Sequence, residues 1–211
     1  MTLQGSIQAE TISLAKFGIS GRLTVVNCHL GNQVKKGQLL AALETIELQA
    51  YLDRALKQYD LQRAEFDERQ KQDLTEYEKR KFQDELDISV KNVEIAKCNL
   101  TANQLTASIN GIVVAMDTAV AGDNITHGGF VITIVDPGSF YFEALLPEEN
   151  LTQVNLNQTT KISLKAFPDQ VFAGQIFQIG PIPNKNNAFS LKIKLPAIPN
   201  LCLGLTGAAD I

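Results

Sequence analysis

Gly31-Asn32-Gln33-Val34-Lys35-Lys36-Gly37 and Gly122-Asp123-Asn124-Ile125-Thr126-His127-Gly128 share one spacing, G-x-x-[VI]-x-x-G. Each stretch follows an earlier glycine, Gly21 or Gly111, and leads into an apolar run that ends on an acid, Glu44 or Asp136. Gly31-Asn32 and Gly122-Asp123 are turn chemistry, and the later glycines reopen strands. Val34 and Ile125 are expected to be buried beneath their turns in equivalent places. Gly37 and Gly128 are expected at matching turn exits where a Cβ is poorly tolerated. The repeat predicts a pseudo-twofold pair of small sheets, 21–44 and 106–136, each incomplete alone.

What separates the two halves is helical. Neither Gly nor Pro occurs from Gln38 to Asn110, and Leu, Gln, Glu, Lys and Ala dominate. Apolar rows recur every seven residues: Leu48, Ala55, Gln62 beside Leu52, Tyr59, Phe66, then Leu86, Val93, Leu100 beside Phe82, Ser89, Ala96. Two rows at this spacing predict a narrow coiled-coil seam, weakened at Gln62 and Ser89. Thr75-Glu76-Tyr77-Glu78 fits a capping box. The helices are therefore read at about 46–71 and 76–104, antiparallel across a short loop. Each is roughly 40 Å long at 1.5 Å per residue. Glu65 with Arg69 and Glu76 with Arg80 are expected i,i+4 pairs. Between Asp60 and Asp87 stand ten acidic and six basic residues, so this stretch carries a net charge of −4 and the rest of the chain sums to zero. Cys98 is expected on the outer face of the second helix, off the seam.

Beyond Pro137 the pattern turns to barrel strands. Phe140 to Leu146 is strand-like, Pro147 to Leu151 reads as one helical turn with Pro near its start, and Lys161 to Ala166 alternates. Val171 to Ile179 is a further strand and Pro181 to Asn187 a loop. Phe189, Leu191, Ile193 and Leu195 then alternate with Ser190, Lys192 and Lys194, which gives one buried and one wet face. Ala208 to Ile211 is a last short strand. The alternating segment Ser6 to Leu14 is expected to supply one more barrel strand.

Composition removes several function classes. A net charge of −4 over 211 residues gives no electrostatic footprint for nucleic acid. His29 and His127 are the only histidines and are expected as surface imidazoles, with no metal site. Cys28, Cys98 and Cys202 are odd in number and form no CxxC pair, so they make neither a disulfide framework nor a zinc signature. No Ser/His/Asp set, phosphate-binding Gly loop or HExxH occurs, and no run of apolar residues is long enough to cross a bilayer.

The paired half-motifs around a heptad hairpin resemble a split lipoyl/biotinyl-type domain. Their order along the chain resembles that of periplasmic adaptor subunits, the membrane fusion or hemolysin D-like proteins. Gly31-x-x-Val34-Lys35-Lys36-Gly37-Gln38-x-Leu40, Ala107 to Val113 and Ala121-Gly122-Asp123 carry this resemblance over nearly the whole chain. It implies an elongated α+β protein: a first barrel strand and connector (1–17), a lipoyl-like sandwich in two halves (18–45 and 105–137), an inserted helical hairpin (46–104) and an antiparallel β-barrel (138–211). Carrier versions of the domain hold their cofactor on a lysine between the halves. No lysine lies between Leu39 and Arg54, so no cofactor and no catalytic residue is expected. The implied function is to bridge an inner-membrane transporter, of RND or ABC type, and a TolC-like outer-membrane channel in efflux or secretion. The adaptor would work by assembly, with self-association into a ring. A carrier module and a coiled-coil interaction protein are the alternatives.

The same resemblance places the protein in the periplasm beside the inner membrane, with a signal peptide or anchor expected ahead of residue 1. The family often carries a further membrane-proximal domain, which this sequence does not include. Partner contact is expected at the hairpin tip through Gln70, Asp73, Leu74 and Arg80. Adaptors for TolC-like channels often show Arg-x3-Leu-x6-Ser there. Leu74 fits the Leu, but Gln70 takes the Arg position and Lys81 the Ser position.

Overall fold

The computed structural model describes residues 1–211 except 185, 186, 197, 199 and 200. The strands are β1 (Thr2–Ala9), β2 (Ile12–Lys16), β3 (Gly21–Val26), β4 (Gln33–Val34) and β5 (Leu39–Leu43). Helices α1 (Ile46–Arg69) and α2 (Glu76–Thr101) follow, then β6 (Gln104–Thr106), β7 (Gly111–Met116), β8 (Asn124–Ile125) and β9 (Val131–Val135). The chain ends with β10 (Phe140–Pro147), a 3₁₀ turn at Glu148–Gln153, β11 (Thr159–Leu164), β12 (Val171–Ile179), β13 (Ala188–Lys194) and β14 (Thr206–Asp210). It forms two compact units: Met1–Ser13 with Asn110–Ile112 and Ile134–Ile211, and Leu14–Ile109 with Val113–Thr133.

Among the described residues of the first unit, β1, β10, β13, β12, β11 and β14 close into a barrel in that order. Alternation sends every second side chain inward. Ile7 pairs with Phe142, Phe142 with Ile193, and Ile193 with Ile176, which makes one layer of the core across four strands. Leu3 and Ile162 pair with Ala209 to make another. Ile7, Phe142, Ile162, Ile176 and Ile193 are fully buried, each contributing about 1.5–3 kcal/mol against an exposed position. The space is tight: a Cβ on Gly174 would lie 2.6 Å from Ile193 Cγ2. One polar group breaks the pattern. Thr160 is 2% exposed and its Oγ1 has no hydrogen-bond partner.

The segment expected as one strand from Ser6 to Leu14 is two. β1 belongs to the barrel, while β2 joins β9, β7 and β4 in another sheet. The break at Glu10–Thr11 is tied to the segment after β9: Ser139 O accepts from the Glu10 N–H at 3.1 Å, and the Asp136 N–H donates to Thr11 O at 3.2 Å. The closing strand also starts two residues and ends one residue earlier than expected, at Thr206–Asp210. The loop expected over Pro181 to Asn187 includes 185 and 186, which lie outside the described residues.

The second unit holds both G-x-x-[VI]-x-x-G turns. One sheet runs β2-β9-β7-β4 and the other β6-β5-β3-β8. Exchanging β3, β4, β5 and β6 for β7, β8, β9 and β2 converts one order into the other, so the pseudo-twofold is present in the topology. Each half gives its two-residue strand to the sheet of the other half. The turns repeat bond for bond. The Gly31 N–H donates to Val113 O and the Val113 N–H to Asn32 O; the Gly122 N–H donates to Leu23 O and the Leu23 N–H to Asp123 O. Gly37 bonds to Ala107 O as Gly128 bonds to Phe17 O. Asn32 Oδ1 accepts from the His29 N–H, as Asp123 Oδ2 accepts from that of Val120. The symmetry fails at one expected place: Val34 is buried but Ile125 is only half-buried.

α1 and α2 pack on each other in this unit. The buried residues of α2, Leu86, Ser89, Val93 and Ala96, are spaced three, four and three apart, and α1 buries none fully. Ser89 is satisfied locally, its hydroxyl donating to Leu86 O at 2.6 Å. Both helices end before the sequence reading placed them. α1 stops at Arg69, where Lys71 and Gln72 bond to Glu68 O and Arg69 O in a tighter turn. α2 stops at Thr101 because Gln104–Thr106 must straighten to pair with β5. At the base, the Leu43 N–H donates to Asn103 O at 2.9 Å, and Asn103 Nδ2 donates back to Leu43 O at 3.3 Å.

Candidate functional site

The connection between the helices is built from the capping box at Thr75. The Glu78 N–H donates to Thr75 Oγ1 at 3.4 Å, and Glu78 Oε2 accepts from the Thr75 N–H at 2.9 Å and from its hydroxyl at 2.7 Å. These bonds, with Arg69 nearby, hold the Glu78 carboxyl below its ordinary range. A cap of this kind contributes about 1 kcal/mol and fixes the angle at which α2 starts.

Above the last apolar pair, Phe66 and Phe82, this geometry opens a groove of about 780 Å³. Leu74, Gln70 and Arg80 line it, together with Arg69, Gln72 and Tyr77. Asp73 is exposed and is not among its lining residues. Leu74 is half-buried, whereas Tyr77 is 79% exposed. The Arg69 guanidinium lies over the Phe82 ring, 5.2 Å from its centroid, and pairs with Glu65 at 3.6 Å. The second expected ion pair differs: Glu76 is met by Lys79 at 2.9 Å, one residue before Arg80. That leaves Arg80 to line the groove. The sequence marks Arg69 only as the partner of Glu65, and Tyr77 only as part of the capping box, neither as a residue of the tip. The heptad frame could have found Arg69, which stands three residues after Phe66 on the same face.

The turn residues are placed as a scaffold. Gly31, Gly37, Gly122 and Gly128 have φ of +83°, +83°, +104° and +73°. Only glycine takes such values without strain. His29 and His127 are exposed, on two different turns. Cys98 is exposed on α2, while Cys28 is buried with its Sγ 4.0 Å from Met116 Sδ, and burial raises its thiol pKa. Among the described residues no three His, Cys, Asp or Glu side chains gather as metal ligands, and no helix is long and apolar enough to cross a membrane.

Comparison with known proteins places this arrangement. Residues 16–136 match the family model described as "CzcB-like, barrel-sandwich hybrid domain". The multidrug resistance protein MdtA of Photorhabdus laumondii subsp. laumondii is 27% identical over 222 residues, covering 92% of this chain and 54% of that protein. The chain thus spans about half the length of the curated relatives it matches. The membrane fusion protein Spr0693 of Streptococcus pneumoniae R6 superposes with a TM-score of 0.81 at 19% identity, covering 100% of this chain and 97% of the other. A MacA–MexA chimera carrying the Pseudomonas aeruginosa MexA α-hairpin domain gives 0.87 at 19% identity, covering 100% and 80%. At these identities the structural likeness speaks to the fold. The family match spans more than half of the chain, from β2 through both half-motifs and the helices between them, and the chain belongs to the CzcB-like barrel-sandwich hybrid domain family.

Proposed function

We propose that the protein is a periplasmic adaptor of an efflux or secretion assembly, bridging an inner-membrane transporter of RND or ABC type and a TolC-like outer-membrane channel. The observation that carries this reading is the placement of the helices. They enter the sandwich directly after β5, where a carrier domain would keep its cofactor lysine, and end in an apolar groove ringed by charge. The scaffold of a carrier is there without its chemistry, so the protein acts by assembly and not by catalysis. In this reading α1 and α2 form a coiled coil, with the Leu86–Ser89–Val93–Ala96 stripe as its seam. Gln70, Asp73, Leu74 and Arg80 meet the channel. The molecule divides into a barrel, a lipoyl-like sandwich and a hairpin, and copies associate into a ring beside the inner membrane. Family membership and the similarity to a multidrug resistance protein support it.

The test is Leu74→Asp. Because Leu74 is half-buried at the tip, the substitution is expected to cost no more than about 1 kcal/mol of stability while abolishing export in a strain that depends on the protein. A large drop in thermal midpoint would make Leu74 a core residue and remove the docking role. An intact mass showing a lipoyl or biotinyl adduct would favour the carrier module instead.

A further inference from the structure

Three neighbouring barrel strands carry no acid. β11, β12 and β13 contain Lys161, Lys192 and Lys194 but neither Asp nor Glu, and Lys165 follows directly after β11. This stands out in a chain of net charge −4. The recorded ion pairs join residues of α1 or of α2, and none involves these four lysines among the described residues. Two acids stand opposite these lysines, and each accepts a hydroxyl hydrogen bond. Glu143, opposite Lys192 on β10, accepts from the Ser190 hydroxyl; Asp210, opposite Lys161 on β14, accepts from the Thr2 hydroxyl. Asp169 lies in the turn between β11 and β12.

The same outer face is apolar where it need not be. The register of β12 against β13 shifts between Ile176 and Gln178, so Phe177 and Gln178 both face outward. Bulges of this kind re-aim a side chain. Phe177 reaches across β13 to Tyr141 edge-on, with ring centroids 6.0 Å apart, and the Lys192 ammonium sits 5.1 Å from the centroid of Tyr141. Phe177 is still 36% exposed, and Val171 on the same strand 62%. Lysines on apolar stems beside an exposed aromatic are the chemistry of a membrane interface, where the ring enters the headgroup layer and the ammonium groups meet phosphate.

We propose that this face of the barrel, Lys161, Lys192, Lys194, Phe177 and Val171, binds the anionic headgroups of a phospholipid bilayer. The inference rests on the placement beside the inner membrane argued above. Ammonium groups that form no ion pair, and that outnumber the carboxylates opposite them, supply the charge complementarity, and the Phe177–Tyr141–Lys192 stack holds part of the face in place before contact.

The test is vesicle flotation of the whole chain. Binding is expected to vesicles of equal parts phosphatidylglycerol and phosphatidylcholine at low salt, to fall at high salt, and to be absent for pure phosphatidylcholine. Each lysine near the surface is worth about fivefold, so Lys192→Gln with Lys194→Gln should weaken binding roughly 25-fold. Lys57→Gln with Lys97→Gln, the same charge change on the helices, should leave it unchanged. Lys161→Gln, which touches no aromatic ring, gives a second reading if the double variant melts early. Failure to float on anionic vesicles, or equal loss from the helix control, overturns the proposal. Binding of poly-glutamate without vesicle binding would assign the face to an acidic protein partner and also overturn it. Export by Leu74 variants reads the adaptor role separately, so either result can fail alone.

Discussion

Gly18 and Gly37 offer a matched pair for weighing backbone conformation without packing. Both lie in the same unit, and a Cβ on either would have no atom within 4 Å. They differ in φ: Gly37 sits at +83°, while Gly18 lies outside the left-handed region. Alanine at either site restricts the unfolded chain, which favours folding by about 0.4–1 kcal/mol. At Gly37 it must also occupy the left-handed region, which costs roughly 1–2 kcal/mol for an L-residue. Gly18→Ala should therefore be neutral to slightly stabilising. Gly37→Ala should lie below it by about 1–2 kcal/mol, or roughly 2–8 °C in thermal midpoint for a chain of this size. Gly37→Asn should fall between them, since Asn tolerates positive φ better than Ala. Urea unfolding followed by helix circular dichroism reads this unit, because α1 and α2 lie in it. Equal stability of the two alanine variants would refute the reasoning and show that the turn relaxes to negative φ at no cost.

Thr160→Val should raise barrel stability by about 1 kcal/mol, since it replaces a buried, unpartnered hydroxyl with a methyl of similar shape; calorimetry would show it. Thr75→Ala should lose about 1 kcal/mol of helix capping and speed amide exchange in the first turn of α2. Because the Glu78 carboxyl is depressed in the folded state, its contribution is present above the unfolded value and lost as pH falls through the folded one. The same fraying should thus appear in the wild type under acid conditions, and no change in exchange on acidification would argue against the cap. Maleimide labelling followed by mass spectrometry should modify Cys98 and Cys202 quickly in the native protein and Cys28 only on unfolding. Early labelling of Cys28 would mean that the sandwich opens locally.

The turns and helices were legible because their signals are local. A G-x-x-[VI]-x-x-G spacing fixes turn chemistry within seven residues, and Thr75 with Glu78 declares a helix start within four. Most barrel strands were legible from strict alternation. Ser6 to Leu14 misled because alternation carries no mark of which sheet a strand joins. Its break at Glu10–Thr11 is set by bonds to Asp136 and Ser139, more than 120 residues away. The helix ends shifted for a related reason: α2 yields to the pairing of β6 with β5, which no helix propensity records. At the tip, the spacing put Leu74 in the helix connection, where it lines the groove. The groove itself needs Phe66 and Phe82 brought together across the two helices, and Glu76 turned to Lys79 and not Arg80. The departure of Ile125 from its counterpart, Val34, is a burial difference that a shared motif cannot encode.

The exchange of two-residue strands between the halves orders the folding of the second unit in time. β4 needs β7, and β8 needs β3, so neither sheet can close until residues as far as Ile125 have left the ribosome. The helices need only each other. They can form while the second half is still being made, and once paired they hold Leu43 and Asn103 together. A gap of about 60 flexible residues then no longer opposes sheet closure with its full loop entropy. Adding or removing whole heptads from both helices would leave that junction unchanged, so hairpin length is free to vary without slowing the step that assembles the sandwich.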